Sequence, residues 1–527
     1  MLQTPAYSGK MTLSAGSAHG RSLLLYNGNF FRFGGKKHYT WVWIKNGMIQ
    51  DAGYRSWEPT YIRDAEEAID LKGNLVLPGF SDSHVHFVPS AVDRMKVNLN
   101  GSRNFEEIGQ RLKDWVERHP QESTVHACCL EVSDLEEKRP PTRNVIDHYL
   151  RDYSVLIESR DFHYTVLNTR ALHSSRVPFT MEGVELDERQ RPTGIFRGKA
   201  NAFLRRKTAD SYSWEDKERA VYELSGRLLK KGVTSIHAME GGYGFPESDA
   251  EFLASCGPKL PLDIAIYFGT TSPEKVKRLG LSRIGDLFLD GSFASGNAAL
   301  LSNYEDHPGN GTLNYSQEEL NSFLLRCYLA DLDTSLHAVG NRAMEQALIA
   351  HEYARQKTGN VYLRHRIEHA ELTTELQRKR AAALGLTFSM QPAFEYYYGG
   401  SHSMYAERLG ERWRQTNPFR EIRNAGIRIC GGSDSGLTPV NPLVGIYAAV
   451  NPPVDENRLT IEEALSMFTR DAAWAVREED YKGEIEIGKI ADLTVTDRNI
   501  FLTNPKNIIT AEIIMTIKSG SVLYHNL

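Results

Sequence analysis

Two histidines in alternation, His84 and His86, lie in the stretch NLVLPGFSDSHVHF, residues 74–87. Residues two apart on a strand share a face, so Asp82, His84 and His86 point one way and Val85 and Phe87 the other. Two imidazoles side by side on a rigid strand suit one metal ion, although a lone His-x-His is more often a pair of surface histidines. Partners elsewhere in the chain decide between these readings, and three suitable residues each follow a short apolar run. His337 stands in TSLHAVGNRA before a Gly turn and a helix. His369 closes YLRHRIEH before the next helix, and Asp434 follows IRICGGS. Singly, each is more often a satisfied polar side chain than a ligand. Five of them at one kind of structural position form an N/O ligand set for Zn²⁺, and also for Fe or Mn. A cation held there lowers the pKa of bound water from about 15.7 toward about 7, which makes hydrolysis accessible at neutral pH.

Elements of a particular kind must bring such scattered residues together. From about residue 200 onward, amphipathic segments alternate with short strands: SWEDKERAVYELSGRLLKKG precedes VTSIHAM, SQEELNSFLLRCYLADLD precedes TSLHAV, and FREIRNAG precedes IRICGGSDS. Repeated helix–strand alternation implies a parallel sheet with crossover helices. Over residues 78–480 a (β/α)8 barrel is expected, with its active site at the C-terminal ends of the strands. Residues 88–200 break the rhythm with charge-rich helices and a Pro-rich linker, and read as an insertion or lid after the first barrel strand. Residues 21–77 and 481–527 carry short strands with Gly turns, and Asn-Gly occurs at 27–28 and 46–47 as a hairpin signal. These two ends are expected to pair into one composite β-sandwich, behind a flexible tail over residues 1–20.

The bulk numbers narrow the function. The 527 residues exceed one simple core, and 41% hydrophobic with 24% charged is ordinary globular composition. A net charge of −5, from 62 basic and 67 acidic residues, gives no electrostatic case for nucleic acid. Five cysteines without a Cys-x-x-Cys pair argue against a disulfide framework and fit a reducing, cytoplasmic setting. No signal peptide or membrane-spanning run is expected.

Taken together, GFSDSHVH, LFLDGSFASGNAAL, LHAVGNRAMEQAL, RHRIEHA, GGSDSGLTPVNPL and GEIEIGKIADLTVTD resemble the metal-dependent amidohydrolase superfamily, over nearly the whole chain. Within it the sequence looks like the N-substituted formamide deformylase-like branch, amidohydrolase family 3. The resemblance implies His84 and His86 as first-strand ligands, His337 and His369 as later ligands, and Asp434 as the aspartate that touches metal and shuttles protons. It implies one or two ions, a small-molecule substrate and a possible homodimer. Four residues before the Asp290-Gly291 pair the branch usually has a lysine, carbamylated to bridge two metals; here Asp286 occupies that position. A carboxylate there can bridge directly or can leave a mononuclear site. Three further departures are Asn341 for an aspartate, Gly198 for an acidic residue, and Phe162 for a glycine in RDFHYTVLN. By resemblance, His163 points from the insertion to the substrate, the plainer reading being a lid residue bonded to backbone. His237 ends a barrel strand and stands beside or behind the pocket. Asp290 and Ser292 fall at a turn where they could meet substrate or cap a helix. The aromatic run QPAFEYYYGG is a pocket wall or ordinary packing, and Lys199 is a remote candidate for a carbamylated ligand.

The chemistry implied is metal-assisted hydrolysis of a C–N bond in an amide, formamide or cyclic amide, with Asp434 as base and acid. Two rivals are a ring-amidine deaminase of the same superfamily and a non-catalytic regulatory or scaffold protein that keeps the fold.

Overall fold

In the computed structural model, which describes residues 10–11, 22–55 and 59–526, eight short strands run parallel in a single sheet. They are β1 (Phe80–Val85), β2 (Val233–Gly241), β3 (Asp263–Gly269), β4 (Arg283–Phe288), β5 (Asp333–Ala338), β6 (Arg366–His369), β7 (Thr387–Met390) and β8 (Arg428–Gly431). They neighbour one another in chain order, and the last returns to the first through a Val85–Ser435 bridge and an Asp434 N to His84 O bond of 2.8 Å. The Asp82 carboxylate, which the alternation placed beside the two histidines, fastens this seam instead. Its Oδ1 accepts from Ser433 N at 2.9 Å and His84 N at 3.2 Å. The result is a closed eight-stranded barrel.

Alternation along each strand divides its side chains. Ile236, Ala238, Leu336, Ala338, Ile367, Phe388 and Ile429 face outward into the largest core, shared with the surrounding helices. Burying an aliphatic side chain of this size is worth about 1.5–3 kcal/mol. The intervening positions carry polar groups into the barrel. The covering helices have clear boundaries. Gln317–Leu329 and Glu375–Leu384 open on capping boxes at Ser316/Glu319 and Thr374/Gln377. Asn341–Thr358 ends at Gly359 in the left-handed region.

Strands from both ends of the chain share one nine-stranded sheet. Leu493–Thr496 pairs antiparallel with Leu75–Pro78, the segment that leads into β1. Asn46-Gly47 makes the expected two-residue hairpin between Tyr39–Lys45 and Met48–Gly53, with both residues at positive φ. Asn27-Gly28 does not turn the chain. It lies inside Ser22–Phe30 at a register shift, because this strand changes partners there, from Glu67–Asp70 to Leu75–Val76. Of the tail expected over residues 1–20, Lys10–Met11 pairs with Ser521–His525, and the rest lies outside the described residues.

Between β1 and β2 the chain builds a second, six-stranded sheet. Its order is Val184–Leu186, Pro192–Arg197, Tyr164–Leu167, Ser154–Ser159, Thr124–Leu130 and Val97–Asn98. It has its own apolar clusters. No helix among the described residues is long and apolar enough to cross a membrane.

Candidate metal centre

The C-terminal ends of β1, β5, β6 and β8, with the middle of β4, bring His84, His86, Asp286, His337, His369 and Asp434 together. The ligand atoms of His84, His369 and Asp434 lie within 4.8 Å of one another, as do those of His84, His86 and Asp286, and of Asp286, His337 and His369. All six residues are buried. Backbone geometry at the site is unusual. His369 and Asp434 have φ of 68° and 52°, a conformation that non-glycine residues adopt only when their surroundings hold them there. Two glycines make room. Gly285 has φ of 133°, and a Cβ there would lie 2.3 Å from Ser335 O, so only glycine carries β4 past β5 to Asp286. A Cβ on Gly432 would lie 2.7 Å from His84 N, at the seam between β8 and β1.

The hydrogen bonds fix which nitrogen of each imidazole faces inward. His84 Nδ1 meets Glu368 Oε2 at 2.7 Å, His86 Nδ1 meets Met239 O at 3.1 Å, and His369 Nδ1 meets Gln391 Oε1 at 2.8 Å. Each partner only accepts, so each Nδ1 carries the proton and leaves an Nε2 lone pair. His337 is turned the other way: its Nε2 donates to Gly291 O at 3.0 Å, which leaves Nδ1 bare and 3.8 Å from Asp286 Oδ2. His84 Nε2 and His86 Nε2 each lie 3.6 Å from Asp434 Oδ1. Four lone pairs and two carboxylates thus converge. His84 Nε2, His337 Nδ1 and both oxygens of Asp286 are buried with no hydrogen-bond partner. Orphaned buried groups of this kind are costly unless something compensates them, and an N/O donor set suits a divalent cation. The residues present fit such an ion.

Burial works against charge on the imidazoles, but the carboxylates facing His84 and His337 win and raise both pKa values, so a proton on either competes with a cation for its inward nitrogen. Against that burial, the carboxylates of Asp286 and Asp290 push the His337 pKa up to about 9. Burial raises the Asp434 pKa. Burial, reinforced by neighbouring imidazoles, holds His86 and His369 well below the ordinary histidine value and keeps them neutral, as ligands must be.

Apart from His237, the supporting layer is not anticipated by the sequence reading. Arg366, fully buried inside the barrel, binds Glu368 through Nη2 at 2.7 Å and Ser389 Oγ at 2.7 Å, and lies over the Tyr267 ring at 4.5 Å. Glu368 in turn orients His84, a carboxylate–histidine arrangement that raises ligand basicity. The signal was legible in RHRIEH: Arg366 and Glu368 stand two apart in a strand, on one face, immediately before a ligand. Gln391 and the Met239 carbonyl carried no such signal, because their roles depend on strand pairing.

Other expected residues are placed as follows. His237 accepts at Nδ1 from Arg366 Nη1 at 2.9 Å and so belongs to this supporting layer inside the barrel. Asp290 is spent on backbone, accepting from Val339 N at 3.1 Å and from Ala299 N and Gly340 N at 2.8 Å, with its Oδ1 3.6 Å from His337 Nε2. It caps no helix; it ties the loop after β4 to the loop after β5. Ser292 Oγ accepts from Ser295 N in that same loop. His163 is bonded within its own turn, Nδ1 to Asp161 O at 2.6 Å, and is not among the clustered His and Asp residues. Asn341 Oδ1 accepts from Leu301 N. Lys199 is exposed and paired with Glu182 at 2.7 Å, away from the site. Aromatic rings back the clustered imidazoles: Phe245 stacks on His86 at 4.5 Å, Phe288 on His337 at 4.4 Å, and Phe394 of the aromatic run lies parallel to His369 at 6.5 Å.

The chain is similar to several known proteins. YtcJ of Bacillus subtilis (strain 168) is 25% identical over 516 residues, covering 92% of this chain and 95% of its own. The N-substituted formamide deformylase of Arthrobacter pascens is 24% identical over 497 residues, covering 87% and 90%. The crystal structure of an uncharacterized metal-dependent hydrolase from Pyrococcus furiosus superposes with a TM-score of 0.73 at 28% identity, covering 91% of this chain and all of that one. Residues 67–524 match the model of the amidohydrolase family. With a barrel, a buried His/Asp cluster at its C-terminal mouth and a family match over most of its length, this chain belongs to the amidohydrolase family and is a hydrolase.

Proposed function

We propose that this protein hydrolyses a C–N bond in an amide, formamide or cyclic amide, using one or two divalent ions, zinc first among them. The observation that carries the reading is the convergence of four oriented imidazole lone pairs on Asp286 and Asp434, with four of the converging atoms buried and otherwise unpartnered. His84, His86, Asp286, His337, His369 and Asp434 would hold the metal. When bound, a divalent cation supplies Lewis acidity, polarising a carbonyl and bringing the pKa of water down to about 7. Asp434 takes the proton of the attacking water and delivers it to the departing nitrogen, a task suited to a carboxylate whose pKa burial has raised. Glu368 and Arg366 hold His84 in the required tautomer, and Gln391 does the same for His369. The insertion acts as a lid, and His163 at its tip is the group proposed to meet the substrate carbonyl or leaving group. The presence of all five principal residues, His84, His86, His337, His369 and Asp434, argues against a non-catalytic scaffold. The test is metal quantification on the purified protein, paired with a screen of N-formyl, N-acyl and cyclic amides. Stoichiometric metal and turnover of one of these classes are expected. Protein that takes up no Zn²⁺ and hydrolyses none of them overturns the proposal.

A further inference from the structure

Phe162 sits on the insertion with φ of 61°, a left-handed conformation that is a marked outlier for a bulky side chain. The turn around it is fastened at several points. Phe162 N donates to Ser159 O, and Asn201 Nδ2 donates to Phe162 O at 2.7 Å. The neighbouring Asp161 accepts from Ser159 Oγ and His163 N through Oδ1, and from Ser295 Oγ of the loop after β4 through Oδ2. Strain that is over-determined in this way points to a role for the side chain it presents.

That side chain is delivered to the metal centre. A Cβ built on Gly436, two residues beyond Asp434, would lie 2.5 Å from Phe162 Cζ, so the ring rests against the Asp434 loop. The Arg205 guanidinium lies over the Phe162 ring at 4.2 Å and over Phe245 at 4.4 Å, and Phe245 is stacked on His86. Arg205 is itself buried, 3.9 Å from Glu158, which Lys96 also pairs. Phe162 is therefore one ring away from a metal-site histidine, and rigid, on the side of the site that faces the insertion.

We propose that Phe162 is a specificity-determining residue: its ring caps the size of the substituent that can project from a metal-held group toward the insertion, so the site takes compact substituents and rejects ring-bearing ones. This rests on the metal-centre reading above. The test uses Co²⁺-loaded full-length protein, with visible absorption as the readout and acetohydroxamate and benzohydroxamate as probes. Their binding reports the space beside the metal without any turnover. Wild type is expected to prefer the acetyl probe. Phe162→Gly, which suits the left-handed backbone, is expected to cut that preference by about tenfold, with Phe162→Leu intermediate. Melting temperatures verify that the variants are folded, and Phe162→Leu carries the comparison should the glycine variant unfold. Cobalt bands with a probe ratio unmoved in the folded variants overturn the role of Phe162 alone. Wild type that binds no Co²⁺ overturns the metal centre, and this inference with it.

Discussion

At the scale of residues, two carboxylates divide the work. Asp434 is assigned to proton transfer, so Asp434→Asn should lower kcat by about 10²–10⁴-fold while metal content measured by mass spectrometry stays near wild type. A variant with normal kcat contradicts that role. Asp286 is assigned to the ion itself, because both of its oxygens are buried without partners. Asp286→Asn should therefore lower bound metal, either in stoichiometry or in affinity against a chelator. Equal metal in the variant removes Asp286 from the ligand set. The same pair shows how far residue types alone can be read. His84, His86, His337, His369 and Asp434 stood out because a histidine or aspartate ending an apolar strand is unusual five times over. Phe162 and Asp286 stood out only as departures from a resemblance, and neither type nor spacing indicates that one is a wall and the other a buried, unpartnered acid.

At the scale of elements, the site depends on strand ends being held in register. Gly285 lets β4 pass within van der Waals distance of β5, and a methyl group there would meet Ser335 O. Gly285→Ala should cost about 1–3 kcal/mol from strain at positive φ and should move Asp286, lowering both melting temperature and metal affinity. Unchanged values for both would show that β4 has slack at this point. Within β6, Glu368 links the buried Arg366 to His84. Glu368→Gln leaves a buried guanidinium without its counter-charge, a loss of about 3–5 kcal/mol, and should weaken metal binding about 10–100-fold by loosening His84. Chelator competition measures the second effect independently of the first. Helix–strand alternation made these elements legible, since outward-facing Ile, Leu and Ala positions must pack on helices. Asn27-Gly28 was misread as a hairpin because a local turn signal carries no information about a strand that changes partners midway.

At the scale of the whole molecule, stability should fall on the acid side through buried histidines away from the metal. His365, buried between β6 and the covering helices, accepts at Nδ1 from Thr334 N at 3.1 Å and lies 4.3 Å from the Tyr328 ring. Burial, helped by Arg477, lowers its pKa to about 3. The unfolded chain titrates this group near about 6.5, so between the two values the unfolded state binds the extra proton. Its contribution is complete above about pH 6.5 and declines as pH falls, by about 2 kcal/mol at pH 5. His365→Gln, which can still accept from Thr334, should flatten the fall of melting temperature between pH 7 and pH 5. An identical slope in wild type and variant would assign acid sensitivity elsewhere. The insertion matters at the same scale: it has its own sheet and clusters, yet reaches the barrel through Lys96, Glu158 and Arg205, a buried set of charges between two cores.

The amino-acid order by itself determined the parallel barrel, the sheet shared by both ends, the interruption after the first barrel strand and the residue types that stand at the strand ends. Those features follow from local periodicity and from residue types repeated at strand ends, both of which are properties of short segments. Only the tertiary structure decided the tautomer of each imidazole, the Arg366–Glu368 brace, the commitment of Asp290 to backbone and the position of Phe162 against the Asp434 loop. Each of these is a meeting of groups far apart in the chain, set by strand register and by the docking of the insertion, and no short segment encodes such a distance.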